Sequence, residues 1–193
     1  MIETIGYDRN HKDRQQNDFY ATPPKEVENI LKHEYLIGTV LEPACGEGHI
    51  SKMISENKLI STDLVDRGYG ISGLDFLSDK YPYGDNIDTI ITNPPFKLIE
   101  EFVNKAIKIA KSKVMILART QFLETAGRYE NIFINNPPNR IYQYVDRISC
   151  AKNADFENTS NSMSYAWFVW DKECNDTRLY WIRRSDKVIK EEL

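Results

Sequence analysis

Four consecutive residues, Asn93-Pro94-Pro95-Phe96, set the chemistry this sequence can support. Two adjacent prolines fix the backbone and remove two donors, which leaves the Pro94 carbonyl oxygen free and rigidly aimed. Asn93 adds a side-chain carbonyl oxygen beside it, and Phe96 adds a flat apolar face. Two acceptors next to a ring face suit an exocyclic amine on a flat ring. Such an amine is a poor nucleophile because its lone pair is delocalised. Acceptors that grip its N–H bonds favour a tetrahedral nitrogen with a localised lone pair, ready to attack an electrophilic methyl held in line. This is catalysis by orientation and electrostatics, with no covalent intermediate and no metal. An amide nitrogen has the same delocalised lone pair, so a glutamine side chain is open to the same chemistry.

A second segment, Glu42-Pro43-Ala44-Cys45-Gly46-Glu47-Gly48, carries two glycines one residue apart at a strand-to-helix turn. Glycines there let a ligand approach the backbone closely, and the following helix would offer free N–H groups to an anion. A G-x-G alone also serves simple turn geometry. Asp63, at the end of the next strand, can accept hydrogen bonds from a ribose diol. In Gly73-Leu74-Asp75-Phe76-Leu77, Asp75 can accept from an amine while Phe76, or Leu64 upstream, packs on a purine face; Leu74, Phe76 and Leu77 also read as ordinary core.

The elements that must position these residues alternate between strand and helix. Thr22-Pro23-Pro24 reads as a helix start, with Thr22 at the N-cap, and Val27, Ile30, Leu31 and Tyr35 follow at helical spacing. Strands are predicted at 39–43, 58–63 and 87–92, and at 114–118, whose unbroken apolar run suits a strand buried on both faces. Helices are predicted after Gly48 (Ile50, Met53, Ile54), after Phe96 (Leu98 to Ala110), and over 122–134 with an interruption near Gly127. Later strands are predicted at 140–146, 165–170 and 179–182. Such alternation means an α/β sandwich with a mostly parallel sheet, whose ligands bind beyond the carboxyl ends of the strands. Glu42–Gly48 and Asn93–Phe96 each follow a strand directly, so both belong to one edge of that sheet.

The 193 residues suit one domain and leave no room for a full second recognition domain. Residues 1–17 read as a mobile, polar arm without the apolar stretch of a secretory signal. No window approaches the roughly 18 apolar residues of a membrane helix. Three cysteines, Cys45, Cys150 and Cys174, form no C-x-x-C pair and argue for a reducing, cytoplasmic setting. His11, His33 and His49 are scattered, against a zinc site. Net charge is −4, but residues 105–152 hold nine basic and three acidic side chains. That asymmetry suits either an anionic partner or a solvated face.

D-F-Y-A-T-P-P (Asp18 to Pro24), E-P-A-C-G-E-G (Glu42 to Gly48), Asp63, G-L-D-F (Gly73 to Phe76) and T-N-P-P-F (Thr92 to Phe96) stand in that order along the chain. The array resembles class I S-adenosylmethionine-dependent methyltransferases, and among them the small DNA adenine-N6 methyltransferases of bacteria and phages. The resemblance implies a Rossmann-like three-layer sandwich with a mostly parallel seven-stranded sheet in a single domain over 18–193. It implies S-adenosyl-L-methionine as cofactor and DNA as partner. Tyr20, Ala21 and Thr22 would meet the methionine portion. Glu42, Ala44, Gly46 and Gly48 would line its amino-acid end, Asp63 the ribose, and Asp75 with Phe76 the adenine. Asn93 and Pro94 would hold the target amine in the loop that Pro95 stiffens, with Phe96 stacked on the target base. Larger members carry a separate target-recognition domain; here the polar stretch 153–162 is the candidate target loop, and Arg119, Arg128, Arg140 and Arg147 are candidate phosphate contacts. Adenine in RNA, a glutamine amide in a protein, and a non-catalytic cofactor-binding subunit are the alternatives. Cytosine-C5 chemistry is disfavoured, because its nucleophilic cysteine would stand where Asn93 does.

Overall fold

A computed structural model describes residues 19–55, 58–152 and 163–184. The predicted arm at 1–17 and the candidate target loop at 153–162 lie outside these residues. The described strands form a seven-stranded sheet in the order β3-β2-β4-β5-β8-β6-β9: β2 Thr39–Glu42, β3 Lys58–Ser61, β4 Thr89–Thr92, β5 Lys113–Arg119, β6 Arg140–Tyr144, β8 Tyr165–Asp171 and β9 Arg178–Ile182. Only β8 runs against its neighbours, pairing antiparallel with β5 and β6; the other pairings are parallel. A separate two-stranded sheet joins β1 (Tyr20–Ala21) to β7 (Ala151–Lys152), antiparallel.

Side-chain alternation along the strands divides the core between the sheet's two faces. Leu41, Ile90, Val114, Ile116 and Phe168 bury one face beneath Phe102, Val103 and Ala106 of helix α2 (Ile99–Ile109). Val40, Ile91, Met115, Leu117 and Trp167 bury the other beneath Val27 and Ile30 of helix α1 (Pro24–Ile30). β5 is buried along six of its seven residues, as its unbroken apolar run demands.

Three expectations are corrected. Helix α1 takes Pro23, not Thr22, as its N-cap residue, and no side chain caps it; Thr22 is turned elsewhere. The helix predicted after Gly48 is a single 3-10 turn, Ser51–Met53. Gly46 and Gly48 both adopt positive φ (+55° and +80°), which coils the chain before a helix can start, and Glu42 holds Ser51 in place. The predicted 122–134 helix breaks into a 3-10 turn (Thr120–Leu123), a short helix α3 (Ala126–Arg128) and a π-helical turn (Tyr129–Phe133). The break falls at Thr125, whose φ of +97° no helix tolerates and whose hydroxyl accepts from Arg128 N.

At the opposite edge of the sheet from the carboxyl ends, a buried ionic cluster locks the frame. Lys113 Nζ lies 2.7 Å from Glu34 Oε2, Tyr142 donates to Glu34 Oε1 at 2.9 Å, and Arg140 spans Glu34 and Asp171. Removing one partner of such a cluster strands a charge and costs about 3–5 kcal/mol.

Candidate active site

The loops after β2, β3 and β4 meet over the carboxyl edge of the sheet and enclose a cavity of about 370 Å³. Its wall includes Tyr20, Ala21, Thr22, Glu42, Ala44, Asp63, Asp75, Phe76, Asn93, Pro94, Pro95 and Phe96. Twelve of the fourteen residues singled out in the sequence therefore line one cavity. Gly46 and Gly48 are not among its wall residues.

Asn93 is the best-defined element. Its Nδ2 donates to the Tyr20 carbonyl at 2.8 Å and to Thr22 Oγ1 at 3.1 Å. A carbonyl oxygen can only accept, so the amide is locked with its nitrogen toward β1. Its Oδ1 is consequently turned the other way, buried and without a hydrogen-bond partner among the described residues. A buried orphan acceptor is costly unless a ligand satisfies it. Thr22, expected to cap helix α1, supplies half of this clamp.

The cofactor-side residues are arranged differently from expectation. Asp63 is already engaged: Gly46 N donates to Oδ2 and Val65 N to Oδ1, each at 2.8 Å. It pins the glycine turn to the end of β3 and keeps one lone pair per oxygen for a ligand. The space beside the glycines is taken by the chain's own rings. A β-carbon on Gly46 would run into the Phe19 ring, and one on Gly48 would lie 2.5 Å from Tyr69 Cδ1. Glu42 is fully buried and accepts from Ser51 N at 2.8 Å and from Ser51 Oγ. Burial pushes its carboxyl up to about 8, so it holds its proton at neutral pH. Asp75 is exposed and caps a turn through Leu77 N at 2.9 Å. Phe76 is 2% exposed and packs against Phe102 and Tyr81, so it is core and cavity wall at once.

Cys45 is buried, and its thiol is pushed up to about 12 by burial and by the nearby Glu42 and Asp63 carboxylates. Cys150 lies against Tyr165 and Asn93, its thiol likewise pushed up to about 12 by burial. Neither supplies a thiolate nucleophile.

Phe19 and Arg67 are site residues that sequence reasoning missed. The Arg67 guanidinium sits 4.7 Å from the centroid of the Phe19 ring, which covers the glycine turn. Phe19 had a signal, its place in the aromatic run before Pro23; Arg67 had none. Leu64, about half exposed, lines the same cavity.

Comparison with solved structures settles the architecture. The chain superimposes on a candidate class I S-adenosylmethionine-dependent methyltransferase from Listeria monocytogenes with a TM-score of 0.63 and 12% identity, over 94% of this chain and 69% of that one. This is the class I methyltransferase fold. The methyltransferase fold is shared with the M protein of the type I restriction enzyme EcoKI (TM-score 0.59, 14% identity, 86% of this chain and 48% of that one). It is also shared with a modification subunit of a candidate type I restriction enzyme from Vibrio vulnificus YJ016 (TM-score 0.56, 14% identity, 93% and 50%). The chain spans about half the length of these two subunits. No family model and no curated protein matches the sequence. Among the described residues no helix is long and apolar enough to cross a membrane.

Proposed function

We propose that this chain transfers a methyl group from S-adenosyl-L-methionine to the exocyclic N6 of adenine in DNA. The observation that carries the reading is the buried, unpartnered Asn93 Oδ1, on a cavity-lining residue next to Pro94 whose amide nitrogen is held by Tyr20 and Thr22. An acceptor fixed in this way needs an N–H donor, and an exocyclic amine is one.

The cavity fits the cofactor in size and lining: about 370 Å³, with apolar wall residues and carboxyl groups at Glu42, Asp63 and Asp75. Asp63 would accept from the ribose through its remaining lone pairs, Leu64 and Phe76 would flank the adenine, and Tyr20 to Thr22 with Glu42 would border the methionine end. The bound group supplies an electrophilic methyl. The residues of the chain do the rest. Asn93 Oδ1 and the Pro94 carbonyl accept from the amine N–H bonds and draw its lone pair out of the ring. These acceptors are preorganised, so they cost no rearrangement during reaction. Phe96 offers the face on which the flat ring rests. A base inside a duplex hides this amine, so the target must be flipped out or single-stranded.

The two modification subunits that share the fold are named as parts of restriction enzymes, which supports DNA as the substrate class. Tritiated methyl transfer to duplex DNA, single-stranded DNA, RNA and protein, assayed in parallel, tests the reading. Label in N6-methyladenine of DNA, absent from the Asn93→Ala variant, is expected. Label only in a protein glutamine would overturn it.

A further inference from the structure

The basic stretch of the sequence held four arginines as candidate phosphate contacts, and the structure separates them. Arg128 pairs with Glu100 at 3.1 Å and donates to the Gln121 carbonyl at 2.8 Å. Arg140 belongs to the buried ionic cluster at the far edge of the sheet. Arg147 has contacts of its own. Arg119 is different. It ends β5, next to β4, whose end at Thr92 leads into Asn93, and it lies half-buried against the site.

The Arg119 guanidinium carbon stands 4.2 Å from the centroid of the Phe96 ring. Its side chain hydrogen-bonds the Tyr165 hydroxyl, its Nε is buried without a hydrogen-bond partner, and among the described residues no carboxylate lies within ion-pair distance. Tyr20 and Tyr165 flank the same ring at 5.1 and 6.3 Å, both tilted. A flat base that is to rest on Phe96 meets the guanidinium first. The two groups are planar and of similar thickness, and they compete for one surface. A displaced arginine is then a cation with five donors and, among the described residues, no carboxylate already paired with it.

We propose that Arg119 determines the substrate class of this site: it covers Phe96 until the target base arrives, then yields the ring and pairs with the phosphate of the same nucleotide. This rests on the adenine reading above and deepens it. The ligand that satisfies both positions is a flat base joined to an anion, a nucleotide within a strand. A free nucleoside or a neutral amide side chain satisfies only one.

The test reads binding apart from turnover. A fluorescently labelled single-stranded deoxyoligonucleotide with one adenine is compared, by anisotropy, with the same strand carrying neutral methylphosphonate linkages on both sides of that adenine. The wild-type protein is expected to bind the charged strand at least tenfold more tightly. Arg119→Gln and Arg119→Lys should differ: the first loses this discrimination and lowers the salt slope by about one phosphate contact, the second keeps part of it. In transfer assays Arg119→Gln should raise KM for the strand and lower KM for adenosine, whose ring no longer competes for Phe96. Wild-type indifference to the neutral linkages overturns the proposal without any variant. So does an Arg119→Gln protein that still discriminates, or one whose KM rises equally for adenosine and strand, which would mark Arg119 as packing for Phe96. Failure of the adenine reading shows separately, as a wild-type protein that discriminates in binding yet labels no adenine.

Discussion

Replacing Thr22 by valine deletes one oxygen and keeps the shape. Thr22 is 2% exposed and its Oγ1 accepts from Asn93 Nδ2 at 3.1 Å, so the substitution leaves that amide nitrogen to the Tyr20 carbonyl and the neighbouring Cys150 thiol. A net hydrogen bond contributes about 0.5–1.5 kcal/mol. The amide therefore spends more time rotated away, with Oδ1 no longer facing the target amine, and kcat should fall about 2- to 10-fold. Complete removal of the acceptor in Asn93→Ala should cost about 100-fold or more, by analogy with a lost oxyanion donor. The decisive assay is a double-mutant cycle on steady-state transfer, with cofactor affinity followed by calorimetry. If Thr22 acts through Asn93, Thr22→Val has no further effect in the Asn93→Ala background. Additive losses would refute the clamp. A Thr22→Val protein with normal kcat and weakened cofactor binding would refute it too, and would assign the hydroxyl to the cofactor.

Asp63→Ala removes the acceptor that ties Gly46 N to β3 as well as the lone pairs left for a ribose; cofactor affinity should weaken by roughly 1–3 kcal/mol, read by calorimetry. Gly46→Val sets a branched side chain at a φ of +55° and against the Phe19 ring, so cofactor binding should be lost while the circular-dichroism spectrum of the sheet persists. Glu42 keeps its proton in the folded chain up to about pH 8 but gives it up near pH 4.5 when unfolded, so the native state binds the extra proton between these values. Stability should then fall as pH rises from about 4.5 to about 8, at up to about 1.4 kcal/mol per pH unit. Denaturant titrations of Glu42→Gln should lack that slope; parallel curves for the two proteins would show that Glu42 is ionised when folded.

Much of the site was legible because its signals are local. Asn93-Pro94-Pro95-Phe96 needs only a preceding strand to reach the carboxyl edge, and Thr89-Ile90-Ile91-Thr92 is that strand. β5 announced itself by an unbroken apolar run. What escaped depends on distant partners. Nothing around Thr22 says that its hydroxyl will turn from capping a helix to hold an amide after β4. Arg140 and Arg119 read alike in sequence, yet one is consumed by Glu34 and Asp171 while the other faces Phe96. The helix expected after Gly48 failed because two left-handed residues and the Glu42–Ser51 contact outweigh apolar spacing. The room expected beside the glycines went to Phe19 and Tyr69, which no spacing rule brings there.

The two-stranded β1–β7 ribbon has a consequence for how the site is completed in time. Tyr20 lies opposite Lys152 and Ala21 opposite Ala151, so segments far apart along the chain must meet before the Tyr20 carbonyl can orient Asn93. Bringing them together closes a long loop, a step that is slow and is rewarded by few contacts. The seven-stranded sheet does not depend on it. The frame can therefore form first and the ribbon dock late, and the ribbon can open by itself under native conditions. Its amides should exchange with solvent by local opening well before those of β5, and a frame with the ribbon undocked would be folded by most spectroscopic measures yet have an unoriented Asn93. For this molecule, the fraction folded and the fraction competent are separate quantities.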